Sequence, residues 1–337
     1  MIREAIDIVV SGHSLTREQA TEVMQEIMEG EATPAQLGAF LTGLRLKGES
    51  TEEIAGMASV MREKALRVDT VGPLLDVVGT GGDGKNTFNI STASAFVAAA
   101  CGARVAKHGN RAASSSCGAA DVLEALGVKV ELTPEGVAQC VDQAGMGFMF
   151  APAFHPSMRY AGPVRREIGI RTVFNILGPL TNPARAQCML LGVAYEQLGG
   201  LMAEALRLLD VQHALVVHGA DGMDEITLAG PSSVWEVKGG QVSNWTIEVA
   251  DTGLPSASTD DLHGGTAQEN ADTMRRLFQG ENGPIRNAVL LNGGAALVAA
   301  DKASDLRSGI AMAAEAIDSG AALSRVDSLV QVSQAAG

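Results

Sequence analysis

The chain reads as an α/β protein in two parts: a small all-helical domain, and a larger α/β domain with a central, mostly parallel sheet flanked by helices. The first 70 residues carry helix caps at helical spacing, and from Pro73 onward short apolar runs alternate with helical stretches. Glycine is spread along the chain instead of clustering; 39 of them in 337 residues mark many tight connections and no flexible linker or disordered tail.

The helical part announces its own boundaries. TREQATEVMQEIMEG opens on Thr16 and Gln19, a capping box, and closes on Gly30. TPAQLGAFLTGLRLKGE places Thr33 at the N-cap and Pro34 at the first helical position. STEEIAGMASVMREKAL repeats the box with Ser50 and Glu53, and Met57, Val60 and Met61 mark its apolar face. None of these helices carries chemistry, so they are expected to pack on the rest of the chain or on a second copy.

Strands are expected at LLDVV (74–78), ARVA (103–106), VKVEL (128–132), GFMF (147–150), CMLLGVA (188–194), HALVVHG (213–219) and NAVLLNG (287–293). SVWEVKGGQVSNWTI reads as a hairpin turned at Gly239 and Gly240. The polar stretch from Ser157 to Ile176 is helical in pattern, and an excursion of that length needs a surface to pack on. The expected division is therefore residues 1–70, joined by about 157–180, as the helical domain, with 71–156 and 181–337 as the α/β domain.

Bulk composition excludes several function classes. With 46% apolar and only 4% aromatic residues, the core is built from Ala, Val, Leu, Ile and Met. A net charge of −14 opposes binding to nucleic acid or an anionic membrane, both of which rely on positive potential. An anionic ligand would need a local cationic island or a bridging metal. Cys101, Cys117, Cys140 and Cys188 are widely spaced with no C-x-x-C, so free thiols in a reducing compartment are expected; for Cys117, in a polar loop, the readings are a reactive thiol and, favoured over it, a small filler. The N-terminus lacks the basic flank and apolar run of a signal peptide, and the Ala-rich run after Ser94 is broken by Cys101, Gly102 and Arg104. A cytoplasmic protein is expected.

In open α/β sheets ligands lie beyond the carboxyl ends of the strands, so the loops there are where chemistry belongs. LLDVVGTGGDGKNTFNIST fits two phosphate-binding patterns and satisfies neither. Asn86 follows Lys85 where a Walker loop needs Ser or Thr, and no acid lies between Ala98 and Gly109 to hold a ribose. What remains is their common physics: a strand, a glycine-rich loop and a helix N-terminus that favour an anion, with a plain strand-to-helix turn as the alternative. The polar set Thr87, Asn89, Ser91 and Thr92 favours the ligand. KHGNRAASSSCGAADVLEALG brings Lys107, His108, Asn110, Arg111 and the hydroxyls Ser114 to Ser116 ahead of another helix, a cradle suited to a polyanion. GMDEIT holds Asp224 and Glu225 side by side, which repel unless a cation intervenes; carboxylates plus ligand phosphates form the habitual Mg²⁺ arrangement. Arg159, Arg165, Arg166 and Arg171 cluster on the excursion, and at least one is expected to face the cleft and grip a carboxylate. His13, His155, His213, His218 and His263 show no metal-ligand spacing and receive no role.

Together GTGGDGKNTFNIST, KHGNRAASSSCGAADVLEALG, VRREIGIRTVFNILGPLTNP and GMDEIT resemble the motif set of the anthranilate phosphoribosyltransferases of tryptophan biosynthesis, over essentially the whole chain. The resemblance implies Mg²⁺-dependent transfer of a phosphoribosyl group from phosphoribosyl pyrophosphate to the anthranilate amine, with two ions per subunit, in a homodimer joined through the helical domain. It assigns the donor to Gly79, Gly82, Asp83, Thr87, Asn89, Ile90, Ser91, Thr92, Lys107, His108, Gly109, Asn110, Arg111, Ala112, Ala113, Ser114, Ser115 and Ala119. Anthranilate falls to Gly79, Asn110 and Arg165, and metal to Ser91, Asp224 and Glu225. The family pattern usually has Ser where this chain has Ala119. No general base is assigned; for His108 the two roles open are proton acceptor and wall of the amine pocket. The rival readings are a pyrimidine nucleoside phosphorylase, which would need a single-phosphate site without a metal pair, and a non-catalytic nucleic-acid-binding relative, which −14 opposes.

Overall fold

A computed structural model describes residues 1–112 and 116–336. The chain opens with helices α1 (Ile2–Val10), α2 (Arg17–Glu29), α3 (Pro34–Lys47) and α4 (Thr51–Lys64). It continues through β1 (Leu75–Gly79), α5 (Ile90–Ala100), β2 (Val105–Gly109), α6 (Ala119–Leu126), α7 (Pro134–Ala144) and β3 (Met146–Phe150). The excursion supplies α8 (Ala151–Phe154), α9 (Met158–Ile168) and α10 (Phe174–Leu177). After it come β4 (Cys188–Gly192), α11 (Leu198–Leu208), β5 (His213–Gly219), β6 (Ser232–Lys238), β7 (Gln241–Ile247) and α12 (Val249–Thr252). The chain ends in α13 (Ala267–Phe278), α14 (Pro284–Ala299), α15 (Leu306–Asp318) and α16 (Ala321–Ala335). No helix among the described residues is long and apolar enough to cross a membrane.

The helical caps form as their residues dictate. Thr16, Thr33 and Ser50 each accept a backbone N–H through the side chain while Gln19, Gln36 and Glu53 return the bond, and Gly30 ends α2 in the left-handed conformation. Glu53 does more than cap. It is fully buried and accepts from the Leu15 N–H at 2.9 Å, the Ser50 N–H at 2.7 Å and the Lys47 ammonium at 2.8 Å. α9 returns to this bundle: Ala161 and Val164 join the apolar cluster of α1 to α4, and Gly30 leaves room for the Tyr160 ring, which a Cβ there would meet at 2.6 Å.

The strands form one sheet in the order β3-β2-β1-β4-β5-β6-β7, parallel from β3 to β5 and antiparallel over the last pairs. Both faces are apolar, as buried parallel strands require. Cys188 and Leu190 of β4 face the cluster built on α5, α14 and α16, whereas Met189 and Leu191 face the cluster shared with the helical bundle and α11. The sheet is thus the wall between two cores, and the helical part is packed onto one of its faces. β6 and β7 turn at Gly239 and Gly240, both with positive φ (59° and 75°).

Two expected strands do not form. Val128–Leu132 runs between α6 and α7 without joining the sheet, its apolar residues buried against neighbouring helices. The run 287–293 lies inside α14, which starts at Pro284 and is buried almost all round. A short apolar run does not distinguish a buried strand from a buried helix, and only the length of the element separates them. β2 also begins two residues later than the ARVA run and extends through Lys107 and His108, so both side chains are strand residues and not loop residues.

Candidate active site

The order β2-β1-β4 makes the carboxyl ends of β1 and β4 the point where connections depart to opposite sides of the sheet, which opens a crevice there. β1 and β4 end in paired glycines, Gly79 opposite Gly192. The loop after β5 lies directly over them. A Cβ at Gly79 would stand 2.4 Å from Asp224 Oδ2, and one at Gly192 would stand 1.5 Å from the Asp224 carbonyl oxygen. These glycines let the acidic loop reach the glycine-rich loop. Asp224 Oδ2 accepts from the Gly81 N–H at 2.7 Å, and Glu225 Oε1 accepts from the Ser91 N–H at 3.1 Å in the first turn of α5. The loops after β1 and β5 therefore meet, with the end of β2 beside them.

The resulting crevice has a volume of about 360 Å³. All described members of the expected donor set line it except Ile90, whose side chain is buried in the core; Ala113, Ser114 and Ser115 lie outside the described residues. Ala119 lines it with a methyl group. Gly81, Gly82 and Gly84 hold positive φ (66°, 79° and 73°), which keeps the loop tight and bare of side chains. Lys85 is absent from the lining; its side chain extends towards Gly222. The Walker reading thus fails on geometry as well.

The charges in the crevice are arranged for a cation that the protein itself does not supply. Burial pushes the Asp224 carboxyl up to about 6, with the Asp83 charge adding to it. Burial, then Asp224 and Asp83, raise Glu225 well above the usual carboxylate range. Glu225 Oε2 is sealed from solvent without a hydrogen-bond partner, as is Thr92 Oγ1 in the first turn of α5. An orphaned carboxylate oxygen among crowded acids fits a divalent cation. No group of three or more His, Cys, Asp or Glu among the described residues is arranged to hold a metal.

Lys107 lies close to these acids. It is buried, donates to the Val77 carbonyl and lies 3.4 Å from Ser91 Oγ. Burial lowers its pKa, while Asp76 and Glu225 work the other way. Asp76, buried on β1 and itself raised to about 6 by burial, accepts from Asn182 at 2.7 Å and from the His108 N–H at 3.2 Å. Lys107 thus feels the charges of both Asp76 and Glu225. Arg111 is engaged elsewhere, in ion pairs with Asp121 and Glu124 of α6 and over the Phe150 ring at 5.3 Å.

A second cavity, about 570 Å³, opens from the same strand ends towards α9 and shares Gly79, His108 and Asn110 with the crevice. Its wall includes Arg165, which lies over the Phe174 ring at 5.0 Å and makes no ion pair among the described residues. Burial lowers the Arg165 pKa. His108 and His155 face each other here, Nε2 to Nε2 at 3.2 Å. Burial pushes His108 down to about 3, with His155 contributing, and pushes His155 down to about 4. One nitrogen of His108 meets His155, and the nearby Gly178 carbonyl works against the fall of its pKa. His108 is a wall.

His155, Asp76 and Asn175 received no role from the sequence, and Arg171 stood there only as one of four clustered arginines, at least one of which would face the cleft. Asp76 did leave a signal, as an acid within an apolar strand requires a buried counter-charge, and Lys107 on the adjacent strand provides it. His155 left none, because its partner is 47 residues away. The Cys117 thiol is buried and raised by that burial, in keeping with the filler role.

Comparison with known proteins agrees with the geometry. A family model described as "Glycosyl transferase family, helical bundle domain" matches residues 3–65, and one described as "Glycosyl transferase family, a/b domain" matches residues 71–323. The chain is 57% identical over 336 residues to anthranilate phosphoribosyltransferase of Dehalococcoides mccartyi, covering 99% of this chain and 98% of the relative. It is 59% identical over 335 residues to that of Chloroflexus aurantiacus, covering 99% of each. Among solved structures, the anthranilate phosphoribosyltransferase of Thermus thermophilus superposes with a TM-score of 0.93 at 47% identity, over 98% of this chain and 99% of that one. The Saccharomyces cerevisiae enzyme in complex with PRPP and Mg superposes with a TM-score of 0.90 at 27% identity, over 99% and 98%.

Proposed function

The chain belongs to the anthranilate phosphoribosyltransferase family, and we propose that the crevice at the ends of β1, β2 and β5 is where it performs that family's reaction. The reaction moves the 5-phosphoribosyl group from 5-phosphoribosyl 1-pyrophosphate to the amine of anthranilate, giving N-(5-phosphoribosyl)anthranilate and pyrophosphate in L-tryptophan biosynthesis. The observation that carries the assignment of the site is the closure of the Asp224–Glu225 loop onto Gly81 and Ser91. It brings acids, bare backbone amides and a helix N-terminus into one crevice, the combination a metal-linked diphosphate needs.

In this reading the donor lies along the lining from Gly79 to Thr92 and from Lys107 to Ala119. Ser91, Asp224 and Glu225 would hold Mg²⁺, two ions per subunit, which would supply positive charge against the departing pyrophosphate. Lys107 keeps the carboxylates poised. Anthranilate occupies the adjoining cavity, its carboxylate on the Arg165 guanidinium and its amine at Gly79 and Asn110, with His108 as wall. An aromatic amine is already a free nucleophile at neutral pH, so positioning supplies much of the rate and no side-chain base is required. Attack at C1 is direct, with inversion and no covalent intermediate. Ala119 leaves one donor contact to a neighbouring hydroxyl or water.

We assign residues 1–70 with about 157–180 to the helical domain, and 71–156 with 181–337 to the donor-binding domain. A homodimer through the helical domain is supported by Val10 (67% exposed) and Leu46 (83% exposed), apolar side chains on α1 and α3 that this chain leaves uncovered. A cytoplasmic location is the reading that the unpaired cysteines and the biosynthetic role support.

The decisive assay is the loss of anthranilate fluorescence on adding the donor with Mg²⁺. Conversion that requires both, and that vanishes in Asp224→Ala/Glu225→Ala, supports the reading; a folded protein that leaves anthranilate unchanged overturns it.

A further inference from the structure

The departing diphosphate is a concentrated anion, yet two of the three cationic side chains that line the crevice among the described residues are already engaged within the protein. Lys107 is buried and donates to the Val77 carbonyl and Ser91 Oγ, and Arg111 is paired with Asp121 and Glu124. The third is Arg171, on the segment between α9 and α10. It makes no ion pair among the described residues; its one hydrogen bond there runs from Nη2 to the Gly81 carbonyl at 3.2 Å, a long contact with a neutral acceptor. Its guanidinium lies over the Tyr195 ring at 5.6 Å, which holds it without neutralising it.

Position makes the case stronger. A Cβ at Gly82 would stand 1.6 Å from Arg171 Nη1, so the guanidinium rests on the bare backbone of the glycine loop. Gly82 is therefore required twice, by its φ of +79° and by the arginine above it. Most of the donors of Arg171 remain without a protein partner, and a planar fork of this kind matches phosphate oxygens in pairs.

Resting on the functional reading above, we propose that Arg171 is a ligand of the donor's diphosphate, gripping it from over the glycine loop at Gly81 and Gly82. It also ties the glycine loop to the segment that leads back from the helical bundle. Bound diphosphate takes over donors that Gly81 uses only weakly, so the arginine exchanges a neutral partner for a charged one.

The test uses Arg171→Ala and Arg171→Lys beside the parent, with melting curves to verify folding. For the alanine variant the KM for the donor should rise about tenfold or more while the KM for anthranilate stays within about twofold. Arg171→Lys, which keeps the charge without the fork, should recover only part of the loss. Calorimetric titration with Mg²⁺–pyrophosphate alone should show the same order of affinities. Equal donor KM and equal pyrophosphate affinity in parent and alanine variant would overturn the proposal, as would equal rises in both KM values, which would mark a merely structural role. If the parent proves inactive towards anthranilate, the functional reading falls, and the pyrophosphate titration still decides Arg171 by itself.

Discussion

A methyl group at position 192 would stand 1.5 Å from the Asp224 carbonyl oxygen, and a backbone atom cannot swing aside as a side chain would. Gly192→Ala is therefore expected to push the acidic loop off the glycine loop. The Mg²⁺ concentration for half-maximal rate should rise at least about tenfold, the cost of an interaction of roughly 1.4 kcal/mol; an unchanged Mg²⁺ titration would refute this. The His108–His155 contact makes a second prediction. Both rings stay neutral in the native state, at about 3 and about 4, while the unfolded chain takes up protons near 6.5. Below that pH the unfolded state binds more protons, so the contribution of each ring to stability is present near neutrality and is lost as pH falls towards 4, by up to about 1.4 kcal/mol per pH unit. His155→Asn should flatten the fall of urea-unfolding free energy between pH 6.5 and 4.5; equal slopes in parent and variant would show that the pair does not titrate as described.

Among the elements, the N-terminal helices form where local chemistry specifies them, because each cap is satisfied within three residues of itself. Their association is another matter. Glu53 caps α4 locally, but it also fixes Leu15 and Lys47 from outside that helix, in a pair with side-chain exposures of 6% for Lys47 and 0% for Glu53. Glu53→Gln preserves shape and removes the charge, which leaves a buried ammonium unpaired and should cost on the order of 3–5 kcal/mol. Thr33→Ala removes only a local cap and should cost about 1 kcal/mol. Urea denaturation ranks the two; a Glu53→Gln loss no greater than that of Thr33→Ala would reduce Glu53 to a simple cap. α14 shows the opposite relation between element and sequence. Its apolar run resembles a strand because burial on all sides erases the helical period, and its identity is fixed by the neighbours it packs against.

At the scale of the whole molecule, acids and glycine loop that lie more than 130 residues apart become one site through the sheet order alone. Crowded carboxylates are a liability without their cation, so Asp224→Asn/Glu225→Gln should melt at or above the parent temperature while losing the extra stability that Mg²⁺–pyrophosphate confers. That increment is about 2.7 kcal/mol for the parent at a hundred times Kd. A variant that melts lower and keeps the ligand shift would contradict the arrangement. The sequence by itself determined the helical caps, the alternation that makes a parallel sheet, the glycine loop, the paired acids and the resemblance that links them, since each is written in residues close along the chain. Only the tertiary structure decided that 128–132 is not a strand, that His155 backs His108, that Asp76 answers Lys107, and that Arg171 overhangs Gly82. Those facts depend on which distant surfaces meet, and the energy of burying a charge or an apolar face has no value until its neighbour is in place.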